Sequence, residues 1–315
     1  MWLILAIIAM LCWSGSDFFS KLGSRPEDKY SHWKMVIAVG IVMGIHAFYE
    51  IATGTPITFQ DILYYLPASA MYILSMIFGY ASLRYIELSV SSPICNSSGA
   101  IAAILCFLVL GQTVDTLSTV GIVIVSLGVL LLGIAEYTED AEAKAARQIK
   151  SNRKYTKSVL AILLPILYCL IDALGTFFDA VILEEGNTFM TSVFHYLEED
   201  TANVAYELTF LFMAVVAFIW VFIIKKQKLT ALKFKEEGPK ALGAICETAG
   251  QFAYIFALSA NAVGAAPIIC AYCVVSSVWS TIFLKERLSW KHYVSLIAVF
   301  GGIIVMGIAE GLAEL

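Results

Sequence analysis

FGYASLRYIELSVSSPI at residues 78–94 and FAYIFALSANAVGAAPI at residues 252–268 align without a gap. Phe78/Phe252, Tyr80/Tyr254, Pro93/Pro267, Leu110/Leu284, Gly128/Gly302 and Glu136/Glu310 all share one offset of 174 residues (267 − 93). The match runs on to LLGIAE at 131–136 against VMGIAE at 305–310. A weaker echo pairs LCWSGSDFF of residues 11–19 with IDALGTFF of residues 171–178. The chain therefore reads as a duplication, and what is duplicated decides the fold.

Composition says the repeat belongs in lipid. Of 315 residues, 60% are hydrophobic and 14% charged. A soluble domain carries about 25% charged residues, so this chain lacks the polar surface to cover itself in water. Crossing roughly 30 Å of hydrocarbon takes about twenty apolar residues in a helix. Such windows recur near 2–22, 32–52, 62–85, 89–110, 115–135, 158–182, 202–224, 238–258, 262–284 and 290–310. The expected fold is an all-α polytopic membrane protein of ten transmembrane helices. Residues 1–136 form the first five-helix repeat, 137–157 a basic linker and 158–315 the second repeat. Five is odd, so the second repeat enters the membrane in the opposite sense to the first. Inverted repeats are characteristic of secondary transporters, whose substrate site lies at the repeat interface near the midplane.

The opening run lacks a basic n-region, and its apolar character continues into Phe18-Phe19, so it reads as a retained helix. Two connections are long. The Ala content of residues 136–157 suggests that the fifth helix continues out of the membrane. In EEGNTFMTSVFHYLEED at 184–200, Phe189, Met190, Val193, Phe194 and Leu197 share one helical face, which fits a short interfacial helix or lid; a plain loop fits too.

All 20 Lys and Arg fall in or beside odd-numbered connections, from Lys21 and Arg25 in the first to Lys285 and Arg287 in the ninth. The other side holds only acids, among them Glu50, Asp61, Asp115, Glu184 and Glu185. The positive-inside rule then makes the basic connections cytoplasmic and both termini external, in a plasma membrane of the bacterial inner-membrane type.

Pro267, a helix ending in Leu284-Lys-Glu-Arg-Leu288, and a helix carrying Gly301-Gly302 and Gly307 resemble the second half of an EamA-type repeat. That family belongs to the drug/metabolite transporter superfamily. Trp13 is similar to its early tryptophan. The resemblance covers nearly the whole chain through length, spans and duplication, while the specific motif lies within about residues 250–310. Gly111-Gln112-Thr113 departs from the family's acidic-basic turn, and the family usually keeps its termini cytoplasmic, the reverse of the charge bias here. The family implies a ten-helix basket that moves small organic solutes.

Carboxylates interrupt the apolar windows, and those singled out are Asp17, Asp172, Glu207 and Glu247. On translocon scales each costs roughly 2.5–3.5 kcal/mol at the bilayer centre. No Lys or Arg lies within four residues of the last three, whereas Asp17 has Lys21 one turn away, so pairing and function both fit Asp17. Tyr168, Asp172, Thr176 and Asp179 form a stripe, as do Glu247, Gln251 and Tyr254. Ser89, Ser92 and Asn96 align, Asn203 and Glu207 lie one turn apart, and Tyr272, Ser276 and Trp279 roughly align. These faces, with Trp13, predict a hydrated central cavity, and Pro93 and Pro267 mark equivalent helix breaks.

Unopposed carboxylates attract cations, and Tyr and Trp faces add cation–π attraction. Burial disfavours the charged form of a carboxylate, which suggests exchange of a proton for cargo at Glu247 or Asp172. The expected function is secondary transport of an organic cation or amine-bearing metabolite, with proton coupling, in contact with lipid. Carriage of neutral or zwitterionic metabolites such as amino acids is one alternative, and a non-transporting membrane sensor another.

Other signals point to little chemistry. Cys270-Ala-Tyr-Cys273 has no second pair, Asn96-Ser-Ser is a sequon inside the membrane, and His46 reads as a packing or hydrogen-bonding residue. Gly40 and Gly44 form a GxxxG face, fitting bundle packing or a homodimer, so monomer and homodimer stay open. No Walker loop, HExxH or nucleophile elbow occurs, so neither an enzyme nor a cofactor or metal is expected, and nucleic-acid binding is not indicated.

Overall fold

The computed structural model describes residues 1–24, 28–83, 88–112, 114–137, 159–227, 234–284 and 290–313. The basic linker expected at 137–157 lies, from residue 138 onward, outside the described residues, and with it any extension of the fifth helix. Within them the chain is helical, with no β-strand. In lipid every backbone N–H and C=O must be satisfied within its own segment, and apolar windows of this length meet that demand as helices.

The first half contains α1 (Trp2–Gly23), α2 (Ser31–Thr53), α3 (Phe59–Leu83), α4 (Leu88–Asn96), α5 (Ser98–Leu105) and α6 (Thr116–Tyr137). The second contains α7 (Val159–Leu183), α8 (Glu199–Phe218), α9 (Phe234–Ala260), α10 (Ala262–Cys270), α11 (Tyr272–Leu284) and α12 (Trp290–Ala313). π-helical turns at Cys106–Leu110 and Ile219–Ile224 extend α5 and α8. Among the described residues seven helices are long and apolar enough to cross a membrane. Three shorter apolar helices, Ile94–Leu110, Thr116–Leu131 and Tyr293–Met306, occupy the windows expected at 89–110, 115–135 and 290–310.

The helix breaks lie one turn later than the prolines suggested. α4 gives way to α5 at Ser97 and α10 to α11 at Ala271, four residues after Pro93 and Pro267. There the Ser97 N–H reaches back to Ile94 O at 3.4 Å, and the Ala271 N–H to Ile268 O at 3.1 Å, so each turn tightens locally. A proline lacks its own N–H but tolerates helix beyond it, and the tightening occurs where α5 crosses α10. A Cβ on Gly99 would stand 2.7 Å from Ala266 O.

The principal packed pairs are α1 with α9, α3 with α7, α2 with α8, and α6 with α12. Without a hydrophobic drive between helices in lipid, close backbone approach supplies the attraction. Gly40 and Gly44 serve it within the chain, on α8. A Cβ on Gly40 would meet Ala214 Cβ at 2.5 Å and Phe210 O at 2.6 Å. Outward-facing Ile4, Ile45, Phe48, Phe212 and Ile297 form the apolar surface that lipid covers.

The α7–α8 connection is a folded loop of turns rather than an interfacial helix. Phe194 and Leu197 are buried, while Met190 and Val193 point outward. Phe189 and Phe194 stack against each other, and pack edge-on against Phe177 and tilted against Phe178 of α7 respectively. The Leu197 N–H donates to Ile182 O at 3.1 Å, so the segment caps the end of α7 by aromatic packing and one backbone bond.

At the opposite end, Lys34 of α2 donates to Asp28 at 2.6 Å and also faces Glu237, which Lys240 of α9 reaches at 2.9 Å. Burial pushes the Asp28 carboxyl up, but hydrogen bonds from Lys34 and the Tyr30 N–H outweigh it and hold the group below its ordinary value.

Gly40→Val is expected to force α2 away from α8 and cost ~1–3 kcal/mol, the range for overpacking a close contact. Thermal melting in detergent should fall for this variant and stay unchanged for Ile45→Val on the lipid face.

Candidate functional site

A cavity with about 880 Å³ of empty space, open solvent included, lies between α1, α3, α4, α7, α8, α9, α10 and α11. It runs from Tyr72, Thr176 and Tyr254 to Ser20 and Leu83, in the last turns of α1 and α3, where the first basic connections begin.

Three carboxylates line it: Asp17 from α1, Asp172 from α7 and Glu247 from α9. Each accepts a hydroxyl from a helix other than its own. Ser92 of α4 donates to Asp17 Oδ2. Ser75 of α3 and Ser98 of α5 donate to the two oxygens of Asp172, at 3.1 and 2.8 Å. Ser16 of α1 donates to Glu247 Oε2 at 2.7 Å. Among the described residues, no Lys, Arg or His nitrogen stands within 4.0 Å of any of the three. Lys21 instead donates to Leu83 O at 2.9 Å.

Aromatic rings form the rest of the wall. Trp13 packs on Tyr254, with ring centroids 5.0 Å apart, and edge-on to Tyr272 at 6.0 Å. Its Nε1 donates to Glu247 O at 3.3 Å, which fixes the indole between α1 and α9. Tyr168, Asn96, Gln251 and Thr176, all on the polar stripes, also line the space. Asn96 turns its amide onto Ser92, the partner of Asp17. The Tyr80 hydroxyl and Gln251 Nε2 line the cavity with no partner among the described residues.

Two expected members stand elsewhere. Glu207 is fully buried, but it faces α2, where His46 Nδ1 meets its two oxygens at 2.9 and 3.0 Å. His46 Nε2 also lies 3.6 Å from Glu50, so the histidine bridges two acids at the α2–α8 seam. The helical stripe gave Glu207 a buried face correctly, but the neighbour that face meets lies 161 positions away in sequence. Trp279 packs on Phe18 and Phe283, outside the cavity. It follows Tyr272 by seven residues, roughly 10 Å along the helix, which carries it past the lining. Pro267 is buried within α10 next to the lining residue Ala266 but does not itself line the space.

The sequence reading also left out residues that matter here. Ser75, Ser98 and Ser16 supply the carboxylates' hydrogen bonds, and Tyr72, Tyr80 and Tyr206 line the cavity. Asp179, seen only as the end of a stripe, is fully buried and accepts the hydroxyl of Tyr65 at 2.6 Å. Tyrosines repeat along α3 at 65, 72 and 80, a near-heptad spacing that signals one polar face.

The EamA-like transporter family matches residues 1–134, so the resemblance drawn from sequence is met over that part of the chain. No curated protein matches the chain. One solved crystal structure superposes on 98% of this chain and 97% of its own length, with a TM-score of 0.57 at 13% identity; that likeness is one of fold.

Cys270 lines the cavity, whereas Cys106 is sealed in the core. Thiol reactivity follows access. A chain keeping only Cys270 should react with a small maleimide about tenfold faster than one keeping only Cys106, as read by mass spectrometry of the detergent-solubilised protein.

Proposed function

We propose that this chain is a ten-helix secondary carrier for a small organic cation or amine-bearing metabolite, built from two oppositely inserted five-helix repeats. Residues 1–136 and 158–315 are the repeats, and the basic connection between them is cytoplasmic, with both termini outside. Three features support the duplication. The offset of 174 carries Leu88, Asn96, Ser98 and Thr116, which bound helices in the first half, onto Ala262, Cys270, Tyr272 and Trp290, which bound helices in the second. The pairing of α1 with α9 mirrors that of α3 with α7. Helices α6 and α12 pack on each other, as elements related by such an axis do.

The observation that carries the cargo assignment is the trio Asp17, Asp172 and Glu247 in one cavity with only hydroxyl donors. A buried carboxylate without a cation is costly while ionised. Either a proton or a cationic cargo relieves that cost, so the two compete for the site, and that competition is proton exchange. Trp13, Tyr254 and Tyr272 offer faces for a cation–π contact of about 0.5–2 kcal/mol.

A zwitterion such as an amino acid is the second reading, because the unpartnered Tyr80 hydroxyl and Gln251 Nε2 are donors suited to a carboxylate. Competition in proteoliposomes between quaternary ammonium compounds and neutral amino acids separates the two.

Replacing Glu247 by Gln keeps the shape and removes the titrating group. Amine uptake driven by a pH gradient should fall about tenfold or more, as loss of one charge-assisted contact implies. Uptake and pH profile equal to the parent's would count against the reading.

A further inference from the structure

We propose that Asp179, Tyr65, Tyr72 and Tyr254 form a latch that shuts the cavity at the end facing the acidic connections. The inference rests on the carrier reading, and it gives Asp179 a role separate from the three carboxylates that face cargo.

Asp179 lies on α7 one turn beyond Thr176, the last cavity-lining residue of that helix, and is fully buried. Tyr65 donates to its Oδ1 at 2.6 Å and Tyr72 to its Oδ2 at 3.4 Å, both from α3. The Tyr72 hydroxyl is in turn bonded to that of Tyr254 on α9. One carboxylate therefore ties α7 to α3 and, through a second hydroxyl, to α9. Tyr206 of α8 packs edge-on against both Tyr65 and Tyr72, at 6.5 and 5.9 Å, and completes the plug.

The position fits a gate. Asp61 near the start of α3 and Glu184 just past the end of α7 mark this as the acidic end, while the cavity extends the other way to Ser20 and Leu83. The chemistry fits as well. Hydroxyl donors on an ionised carboxylate are stronger than neutral pairs, and among the described residues no cation lies within 4.0 Å of Asp179. Parting α3 from α7 strips that charge of its donors unless water enters to replace them. The contact is therefore either closed and dry or open and wet, with a costly state between.

Tyr254 joins the latch to the cargo site. Its ring packs on Trp13 inside the cavity, and its hydroxyl holds Tyr72. A cargo lodged against Trp13 competes with Tyr72 for the placement of that ring, so filling the cavity loosens the latch. Tyr254 is thus a positioning residue as well as a wall.

The test uses the full chain with Cys270 kept and the other six cysteines replaced, reconstituted in vesicles of known orientation. A membrane-impermeant maleimide is applied from each face in turn. With the latch intact, Cys270 should react from the basic-connection side and hardly at all from the acidic side. Asp179→Asn, Tyr65→Phe and Tyr254→Phe should each raise acidic-side labelling, by about tenfold where a bond to the charged group is lost. If Asp179→Asn fails to fold, Tyr65→Phe, which removes one hydroxyl, decides the matter. Acidic-side labelling unchanged in the tyrosine variants would overturn the proposal. Amine flux is scored separately: labelling that shifts without flux sinks the carrier reading and leaves the latch, and flux with unshifted labelling does the reverse.

Discussion

An ionised carboxylate among apolar helices must be answered by something, and in this chain hydroxyls do the answering. Asp17, Asp172, Asp179 and Glu247 each draw a serine or tyrosine from another helix. Those bonds run α1 to α4, α7 to α3 and α5, and α9 to α1, so the cost of the charges is what fastens the inner helices around a common space. A salt bridge would neutralise the charge and leave nothing to attract a cation. Hydroxyls steady it and leave its attraction intact.

The outer pairs have a different basis. α2 meets α8, and α6 meets α12, through glycines whose missing side chains let backbones touch; a Cβ on Gly302 would stand 2.9 Å from Gly121 O. Dispersion over such close surfaces needs no charge and no water. The bundle thus has an apolar frame and a polar interior. The two ends of that interior are fastened differently: Lys34, Asp28, Glu237 and Lys240 form ion pairs at the basic end, while a carboxylate and three tyrosines meet at the acidic one. The lysines of those ion pairs are buried, at 5% and 3% exposure, so water screens them far less than it would a surface pair.

How much of this could be read in the sequence follows from which terms are local. The helices were legible because hydropathy is summed over twenty neighbours, and their ends at Leu88, Asn96, Ser98 and Trp290 fall where the repeat offset requires. The cavity carboxylates were legible because a charge in an apolar window is an anomaly wherever it sits. Their partners were not. Ser98 and Asp172 are 74 residues apart, and Glu207 and His46 are 161 apart, and nothing in either segment names the other. Glu207 and Glu247 look alike in sequence, and only packing gives one a histidine and the other a cavity. The α7–α8 connection left a short helix and a plain loop both open; its apolar residues pack onto the phenylalanines of α7, in a path that helical periodicity could not describe.

The proposed duplication bears on why the two ends of the cavity differ. The offset of 174 makes Tyr80 the counterpart of Tyr254, and aligning Phe18-Phe19 with Phe177-Phe178 makes Ser20 the counterpart of Asp179. Tyr254 and Asp179 are joined through Tyr72 at the acidic end. Ser20 and Tyr80 both line the cavity near the basic end, and both hydroxyls are buried without a partner among the described residues. Buried hydroxyls left unpaired cost about 1–3 kcal/mol each, so the conformation that satisfies the acidic end leaves the basic end unsatisfied. On the proposed inverted arrangement, exchanging the conformations of the two halves would reverse which pair is met. The serine carries no charge, so a Ser20–Tyr80 contact at the basic end would be weaker than the tyrosine–carboxylate contact at the acidic end.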